Sequence, residues 1–243
     1  MISSPPVDAR QFSPATYAAL VAAFRARGYA IRQFADVALA ERHLVVRHDV
    51  DFSPAAALAM AEQEAAMGVS ASYFVLLRTE FYNLFSAEAL AAIRRIAGLG
   101  HVVGLHFDAA LYPADAIEAA VGEECRQLEN LVGQPVTVLS FHRPSQSLIG
   151  QADRISGRIN AYGGRFVRDM GYCSDSRGAW RHGLPLEHSA VQAGRALQLL
   201  VHPFWWTEPS LPPEERLQRF LAERAEFLDR ELARHCVVHK ARA

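Results

Sequence analysis

Short apolar segments alternate along this chain with longer segments of helical character, and this alternation is what most limits its fold. Residues 44–46, 71–77, 102–105, 135–141 and 197–201 have the apolar, often β-branched composition of strands. Residues 13–28, 53–68, 86–99, 113–132 and 213–235 read as helices, and residues 145–165 as an ordered loop. Strands alternating with helices are typical of a mainly parallel sheet or barrel with helices outside it. We therefore predict an α/β fold.

Length and composition restrict the class of protein further. The 243 residues are 51% hydrophobic and carry a net charge of −1, and the three cysteines lack metal-binding spacing. No apolar run reaches the roughly 18–20 residues that cross a bilayer, and the first residues lack the apolar core of a secretory signal. The charge balance provides no basic field for nucleic acid. We expect one domain over residues 1–243, cytoplasmic, with no transmembrane segment and no nucleic-acid partner.

Polar side chains follow four of the predicted strands at their C-terminal ends. In barrels of alternating strands and helices, that edge of the sheet carries the active site. Carboxylates and arginines are rarely buried unless paired, so a packing role explains this recurrence poorly. A structural interpretation stays open for the first pair, in which Asp51 caps the next helix and Asp49 pairs with an arginine. The strand-end residues are Asp49, Asp51, His106, Asp108, His142, Arg143 and His202.

The spacing of Asp49 and Asp51 indicates a cation. Residues two apart on an extended segment point to the same side, and two carboxylates on one side repel each other unless a cation or a shared proton relieves them. His106 and Asp108 repeat this spacing after a neighbouring strand. Oxygen and imidazole ligands without thiolates suit zinc or another divalent first-row metal, with one position open to water. The sequence therefore predicts a divalent metal at this edge, with Zn²⁺ as the first choice.

Five segments, in order, resemble the motifs of the metal-dependent polysaccharide deacetylases, carbohydrate esterase family four. They are most similar to the HDVD-type members of sugar and surface-polysaccharide pathways. The resemblance extends from about Val45 to Trp206, some two-thirds of the chain. It implies a distorted, incomplete β/α barrel of the polysaccharide deacetylase type. The five segments are 49–51 (DVD), 100–106 (GHVVGLH), 141–144 (FHRP), 172–175 (YCSD) with Trp180 downstream, and 200–202 (LVH).

The resemblance also implies a role for each of the matching residues. These roles are general base for Asp49, metal ligand for Asp51 and His106, orientation of the base for Arg143, orientation of the acid for Asp175, and general acid for His202.

The second segment departs from the family pattern at Ala110, where the family carries a further metal-binding histidine four residues after the first. Either the third ligand has moved or the metal site is degraded. His142 and Asp108 are the two candidate replacements. We favour His142, because an imidazole restores the usual set of two histidines and one carboxylate, and Asp108 then either supports a metal ligand from behind or contacts the substrate.

By resemblance, the expected activity is removal of an N-acyl group, acetyl or formyl, from an amino sugar in polysaccharide or O-antigen biosynthesis. A nucleotide-linked or lipid-linked N-acyl amino sugar is the expected small-molecule partner. Candidates for lining its pocket are Tyr82, Asn83, Trp180 and Trp205. One alternative is a catalytically inactive relative that binds a sugar or a protein, and another is a metal hydrolase of a different bond, such as an O-acetyl ester.

Overall fold

A nine-stranded sheet forms the centre of this computed structural model, which describes residues 8–181 and 183–240. The strands follow the order β6-β7-β5-β4-β3-β2-β9-β8, and β1 pairs with the start of β2. All strand pairs are parallel except β6 with β7. The strands are β1 (Ala30–Ile31), β2 (His43–Val50), β3 (Ser72–Val75), β4 (Val102–Phe107), β5 (Val138–Phe141), β6 (Arg154–Ile155), β7 (Arg158–Asn160), β8 (Gly171–Ser174) and β9 (Leu197–Val201).

The sheet ends in two free edges, β6 and β8, so it does not close on itself. The prediction of an α/β fold with an incomplete barrel is therefore confirmed. Strand β2 lies near the middle, hydrogen-bonded to β3 on one side and β9 on the other. Because these strands run parallel, the C-terminal ends of β2, β4, β5 and β9 meet at one edge of the sheet.

Six α-helices occur in the described ranges, and serine caps define the starts of the first three. Ser13, Ser53 and Ser86 each accept a hydrogen bond from the backbone N–H three residues further on, which satisfies a donor that the first helical turn leaves free. The predicted helix starts at these serines are confirmed. The helices are α1 (Pro14–Ala26), α2 (Pro54–Ala66), α3 (Ala87–Gly98), α4 (Ile117–Val132), α5 (Ser189–Gln192) and α6 (Pro213–His235).

Several elements differ from the sequence prediction, which also lacks strand β1 and the short helix α5. The helix expected from residue 113 begins as a 3₁₀ turn, and α4 starts at Ile117. The segment 145–165, predicted as irregular, contains the antiparallel β6–β7 hairpin. Strand β8 was not predicted, because its residues 171–174 (GYCS) lack an apolar, branched run, yet it pairs along its whole length with β9.

Alternation along β2 sends neighbouring side chains to opposite faces of the sheet. Val45 packs inside the curved sheet with Phe34 and Phe74, and residues two and four positions later, Arg47 and Asp49, share that face. Val46 packs into the larger cluster of the sheet and its outer helices. All residues of β2 after His43 are buried, so any charge on this strand must find a partner inside the protein.

No helix in the described ranges is both long enough and apolar enough to cross a membrane.

Candidate metal centre and active site

Three of the predicted metal ligands meet at the C-terminal edge of the sheet. Asp51 follows β2 directly, His106 lies near the end of β4, and His142 follows β5. Each offers one ligand atom, and these atoms all lie within 4.8 Å of one another. A carboxylate and two imidazoles converging in this way form a set that zinc and related divalent cations bind.

Both imidazoles are held through their Nδ1 atoms, which leaves Nε2 available for a ligand. Nδ1 of His106 lies 2.6 Å from the Ser140 hydroxyl on the adjacent strand β5. Nδ1 of His142 lies 3.3 Å from Oδ2 of Asp108. Hydrogen bonds of this kind fix the orientation of metal-binding histidines and increase their basicity. The arrangement gives Asp108 a role beside His142, and Ser140 is a supporting residue that the sequence reading missed.

The surroundings of the Asp51 carboxylate favour a cation at this site. Its Oδ1 lies 3.1 Å from Nε2 of His106, but it accepts no hydrogen bond from the described part of the chain although it is buried. Burial alone would raise the pKa of Asp51, but the neighbouring His106 and His202 lower it well below its ordinary value. An ionised, buried oxygen without a hydrogen-bond donor is a costly state that a bound cation relieves.

Asp49 is held by a buried arginine on its own strand. Arg47 Nε and Nη2 donate to Oδ1 and Oδ2 of Asp49 over 2.9 and 2.8 Å, a bidentate pair at the inner face of β2. Oδ2 of Asp49 also lies 3.6 Å from Nε2 of His106, beside the ligand cluster. Burial would raise the pKa of Asp49, but the Arg47 guanidinium outweighs it and keeps the pKa below its ordinary value.

Arg143 does not make the expected contact with Asp49, which is held by Arg47 instead. The Arg143 side chain is 74% exposed, and its Nη2 lies 3.3 Å from Oδ2 of Asp108. Arg143 comes two residues after β5 ends and has a φ of 47°, whereas Arg47 shares a strand face with Asp49. The two-residue spacing of Arg47 and Asp49 is the sequence signal that could have identified the pair.

His202 lies beside the cluster and is bound to Asp175. Nδ1 of His202 lies 2.6 Å from Oδ1 of Asp175, and the Trp206 indole donates to Oδ2 of Asp175 over 2.7 Å. The other ring nitrogen, Nε2, lies 3.7 Å from Oδ2 of Asp51 and so faces the cluster. Burial would lower the pKa of His202, but Asp175 and then Asp51 raise it to about 9.

Two adjoining cavities reach the cluster. The outer cleft has a volume of about 1010 Å³ and includes Tyr82, Asn83, Asp108 and Trp205 in its lining. The inner pocket has a volume of about 300 Å³ and includes Asp49 and His106. The residues that line both cavities, and so mark their junction, are Asp51, His142, Arg143, Arg177 and His202.

The predicted pocket residues divide into two groups. Tyr82 lines the outer cleft, but its hydroxyl donates to the Val50 carbonyl over 2.9 Å and accepts from the Leu76 N–H, so it also supports the end of β2. The prediction that Trp180 lines the substrate pocket is wrong, because Trp180 lines neither of these two cavities. Its indole donates to the Ala9 carbonyl over 2.7 Å, and its ring packs towards the N-terminal segment and away from the cleft.

The chain is similar to solved structures with which it shares little sequence identity. No family model and no curated protein matches it. A family 4 acetyl xylan esterase from Clostridium thermocellum, solved with a cobalt ion, is 17% identical over 74% of this chain and 84% of its own, with a TM-score of 0.40. A Streptococcus pyogenes deacetylase in complex with acetate is 14% identical over 90% and 92%, with a TM-score of 0.44.

A family 4 pseudoenzyme from Bacillus anthracis is also similar, at 14% identity over 75% of this chain and 60% of its own, with a TM-score of 0.41. A shared fold does not by itself define a function, so the function of this chain depends on the side chains of its own site.

Proposed function

We propose that this protein is a metal-dependent hydrolase that removes an N-acyl group from an amino sugar. The observation that carries the proposal is the convergence of Asp51, His106 and His142 on one point, where Asp51 Oδ1 is buried and has no hydrogen-bond donor from the described residues. Asp49 and His202 flank this point, each held by a charged residue of its own.

A divalent cation held by Asp51, His106 and His142 would polarise the amide carbonyl and acidify a water molecule. Asp49 then accepts a proton from that water at Oδ2, the oxygen nearer to the ligand cluster. Arg47 keeps Asp49 ionised and fixes its direction, which is the role that the sequence had led us to expect of Arg143. A positioned carboxylate of this kind contributes about 100-fold to 10,000-fold to a rate.

His202 supplies the proton that the departing amine needs. Its raised pKa keeps the ring protonated at neutral pH, and the Nδ1 contact with Asp175 directs Nε2 towards the cluster. The water oxygen bonds to the carbonyl carbon as its proton passes to Asp49, and the scissile C–N bond breaks as Nε2 transfers its proton to the amine nitrogen. The acyl group leaves as a carboxylic acid, and proton exchange with solvent restores the starting states of Asp49 and His202. A base and an acid on different strand ends can thus act on opposite sides of one carbonyl.

The proposed substrate is an N-acetyl or N-formyl amino sugar of surface-polysaccharide or O-antigen biosynthesis, nucleotide-linked or lipid-linked. The volume of the outer cleft, about 1010 Å³, supports a substrate larger than a single sugar ring. Zn²⁺ is the metal that we propose, on the chemistry of one carboxylate and two imidazoles.

The first test is elemental analysis of untagged protein purified without chelator, followed by assays on matched N-acyl and O-acyl sugars. We expect about one divalent ion per chain and release of the acid from N-acyl sugars. A chain that stays empty after incubation with zinc, cobalt, nickel and manganese would overturn the proposal. An inactive sugar- or protein-binding domain, as Ala110 suggests, would then be the better reading. Faster release from O-acyl sugars would make the protein an esterase.

A further inference from the structure

Two arginines at the junction of the outer cleft and the inner pocket have a backbone conformation that their side chains do not favour. Arg143 has a φ of 47° and Arg177 a φ of 61°. A left-handed conformation is strained for a residue with a β-carbon, and glycine or asparagine adopts it more readily. Arg143 also precedes Pro144, and a residue before proline is normally extended.

Ser156, the other non-glycine residue with positive φ in the described ranges, lies between the paired strands β6 and β7, where a tight turn requires this conformation. Arg143 and Arg177 do not connect paired antiparallel strands. Arg143 follows β5, and Arg177 lies in the loop after β8. Strained residues of this kind are concentrated at ligand-binding and catalytic sites. The long cationic side chain at each position therefore requires an explanation in terms of a ligand.

Charge balance at the junction shows what kind of ligand is needed. Among the carboxylates around it, Asp49 pairs with Arg47 and Asp175 pairs with His202, whereas Asp51 faces the proposed cation and Glu80 lines the outer cleft. Asp108 contacts both His142 and Arg143. Arg177 is exposed and has no ion pair within the described ranges. The five residues that line both cavities thus comprise one carboxylate, Asp51, against two guanidinium groups and two imidazoles, on a protein whose net charge is −1.

We propose that Arg143 and Arg177 form a clamp for a phosphoryl group attached to the sugar, so that the substrate is a phosphorylated or diphosphate-linked N-acyl amino sugar. This inference rests on the proposed function and specifies its substrate class. The guanidinium group has a planar fork of donors that matches phosphate oxygens bidentately. Because both residues line both cavities, the clamp would hold the phosphoryl group in the outer cleft while the acylamino group enters the inner pocket.

The test is isothermal titration of the zinc-loaded protein with N-acetylglucosamine and with N-acetylglucosamine 1-phosphate, repeated with Arg143→Gln and Arg177→Gln. Inorganic phosphate serves as a further probe, because it reports direct binding of phosphate to the metal. Arg230→Gln is the matched control, since Arg230 is an exposed arginine on α6 that lines neither cavity.

We expect the phosphorylated sugar to bind the unsubstituted protein about 10-fold more tightly than the neutral sugar, and each clamp substitution to remove most of that difference. The control should retain it. Equal affinities for the two sugars, or a difference that survives both clamp substitutions, would overturn the clamp. Because the readout is binding, a protein with the clamp but without hydrolysis would reject the proposed function and leave the clamp standing.

The source of the phosphoryl group is tested by two further ligands in the same titration. UDP-N-acetylglucosamine presents a nucleoside diphosphate, and N-acetylglucosamine linked to a polyprenyl diphosphate in detergent micelles presents a lipid carrier. If one of these two ligands binds more tightly than N-acetylglucosamine 1-phosphate, and Arg177→Gln removes that gain in affinity, the clamp is supported and the carrier is identified. If both ligands bind more weakly than N-acetylglucosamine 1-phosphate, the clamp does not accept a diphosphate that carries a second substituent. That result would overturn the diphosphate part of the proposal.

Discussion

Two groups of buried carboxylates and histidines lie on opposite faces of β2, and they differ in whether their polar atoms are satisfied. The edge cluster consists of Asp49, Asp51, His106, His142 and His202. The helix-side cluster consists of His48, Glu64, Tyr17, Tyr73 and His101. The edge cluster opens into two cavities and contains an oxygen without a donor in the described ranges. The helix-side cluster is closed by α1, α2 and the sheet.

The Glu64 carboxylate on α2, in contrast to Asp51, has hydrogen-bond partners for both of its oxygen atoms. It accepts hydrogen bonds from the Tyr17 and Tyr73 hydroxyls and from Nε2 of His48. Nδ1 of His48 faces the Val201 carbonyl at 3.2 Å, so both ring nitrogens lie against oxygen atoms. A fully buried charge with every partner in place stabilises one arrangement of the core.

Residue type alone therefore does not distinguish a functional site from a buried structural network, since both clusters contain carboxylates and histidines. His48 and Asp49 are neighbours in the sequence and both are buried. Alternation along the strand sends His48 towards α2 and Asp49 into the curved interior. The site is marked by an unsatisfied atom and access to a cavity, and the structural network by complete pairing.

The largest effect is expected for Asp49→Asn, which removes the proposed base but keeps the shape of the side chain. We expect kcat to fall by about 100-fold or more, while the metal content of the folded protein stays the same. Steady-state kinetics and elemental analysis of the same sample measure both. Asp36→Asn, at an exposed position, is the control. Full activity in Asp49→Asn would place the base elsewhere.

Glu64→Gln is expected to reduce the free energy of unfolding by about 3 kcal/mol, because the amide cannot accept as the carboxylate does from the buried Tyr17 and Tyr73 hydroxyls and the His48 ring. The metal content of the folded protein should not change. Glu62→Gln, at an exposed position on the same helix, should change stability by less than about 0.5 kcal/mol. Urea denaturation measures both. Loss of metal without loss of stability would assign the helix-side cluster to the site.

Ser140→Ala removes the hydroxyl that orients His106 and is expected to weaken metal affinity by about 10-fold. Competition with a chromogenic chelator measures this affinity. Ser72→Ala is the matched control, since Ser72 is also fully buried in a strand but contacts Gln33 instead. An unchanged affinity in Ser140→Ala would mean that the strand alone positions His106.

The smallest effect is a pH dependence of stability that belongs to the helix-side cluster. Burial would raise the pKa of Glu64, but His48 and its hydrogen bonds lower it. The contribution of Glu64 is therefore complete above the carboxyl's unfolded pKa and is lost as the pH falls towards the folded one. The unfolding free energy should fall with decreasing pH by at most about 1.4 kcal/mol per unit from this group.

Urea denaturation as a function of pH, below about pH 5, should show a shallower acid limb in Glu64→Gln than in Glu62→Gln. Identical acid limbs would contradict the lowered pKa. At the alkaline end, burial and Glu64 raise the pKa values of Tyr17 and Tyr73. The neutral tyrosines therefore stabilise the fold up to about pH 10, and this stabilisation is lost as the pH rises further.

Much of the architecture could be predicted because it depends on local features of the chain. The serine caps, the apolar runs and the polar residues that follow them are all visible within short windows. Parallel strands then bring their C-terminal ends together, which is enough to group Asp51, His106 and His142 from their positions in the chain. Strand β8 was missed because its partner β9, and not its own composition, makes it a strand.

By itself, the sequence determined the α/β alternation and the edge of the sheet at which polar side chains gather, because the period of a strand and the start of a helix are local properties. The tertiary structure decided that Arg47 and not Arg143 holds Asp49, that Asp108 stands behind His142, and that Trp180 packs away from the cleft. These contacts depend on the direction of a side chain after its strand has ended. That direction is set by the backbone of the loop and by the residues that distant segments bring against it.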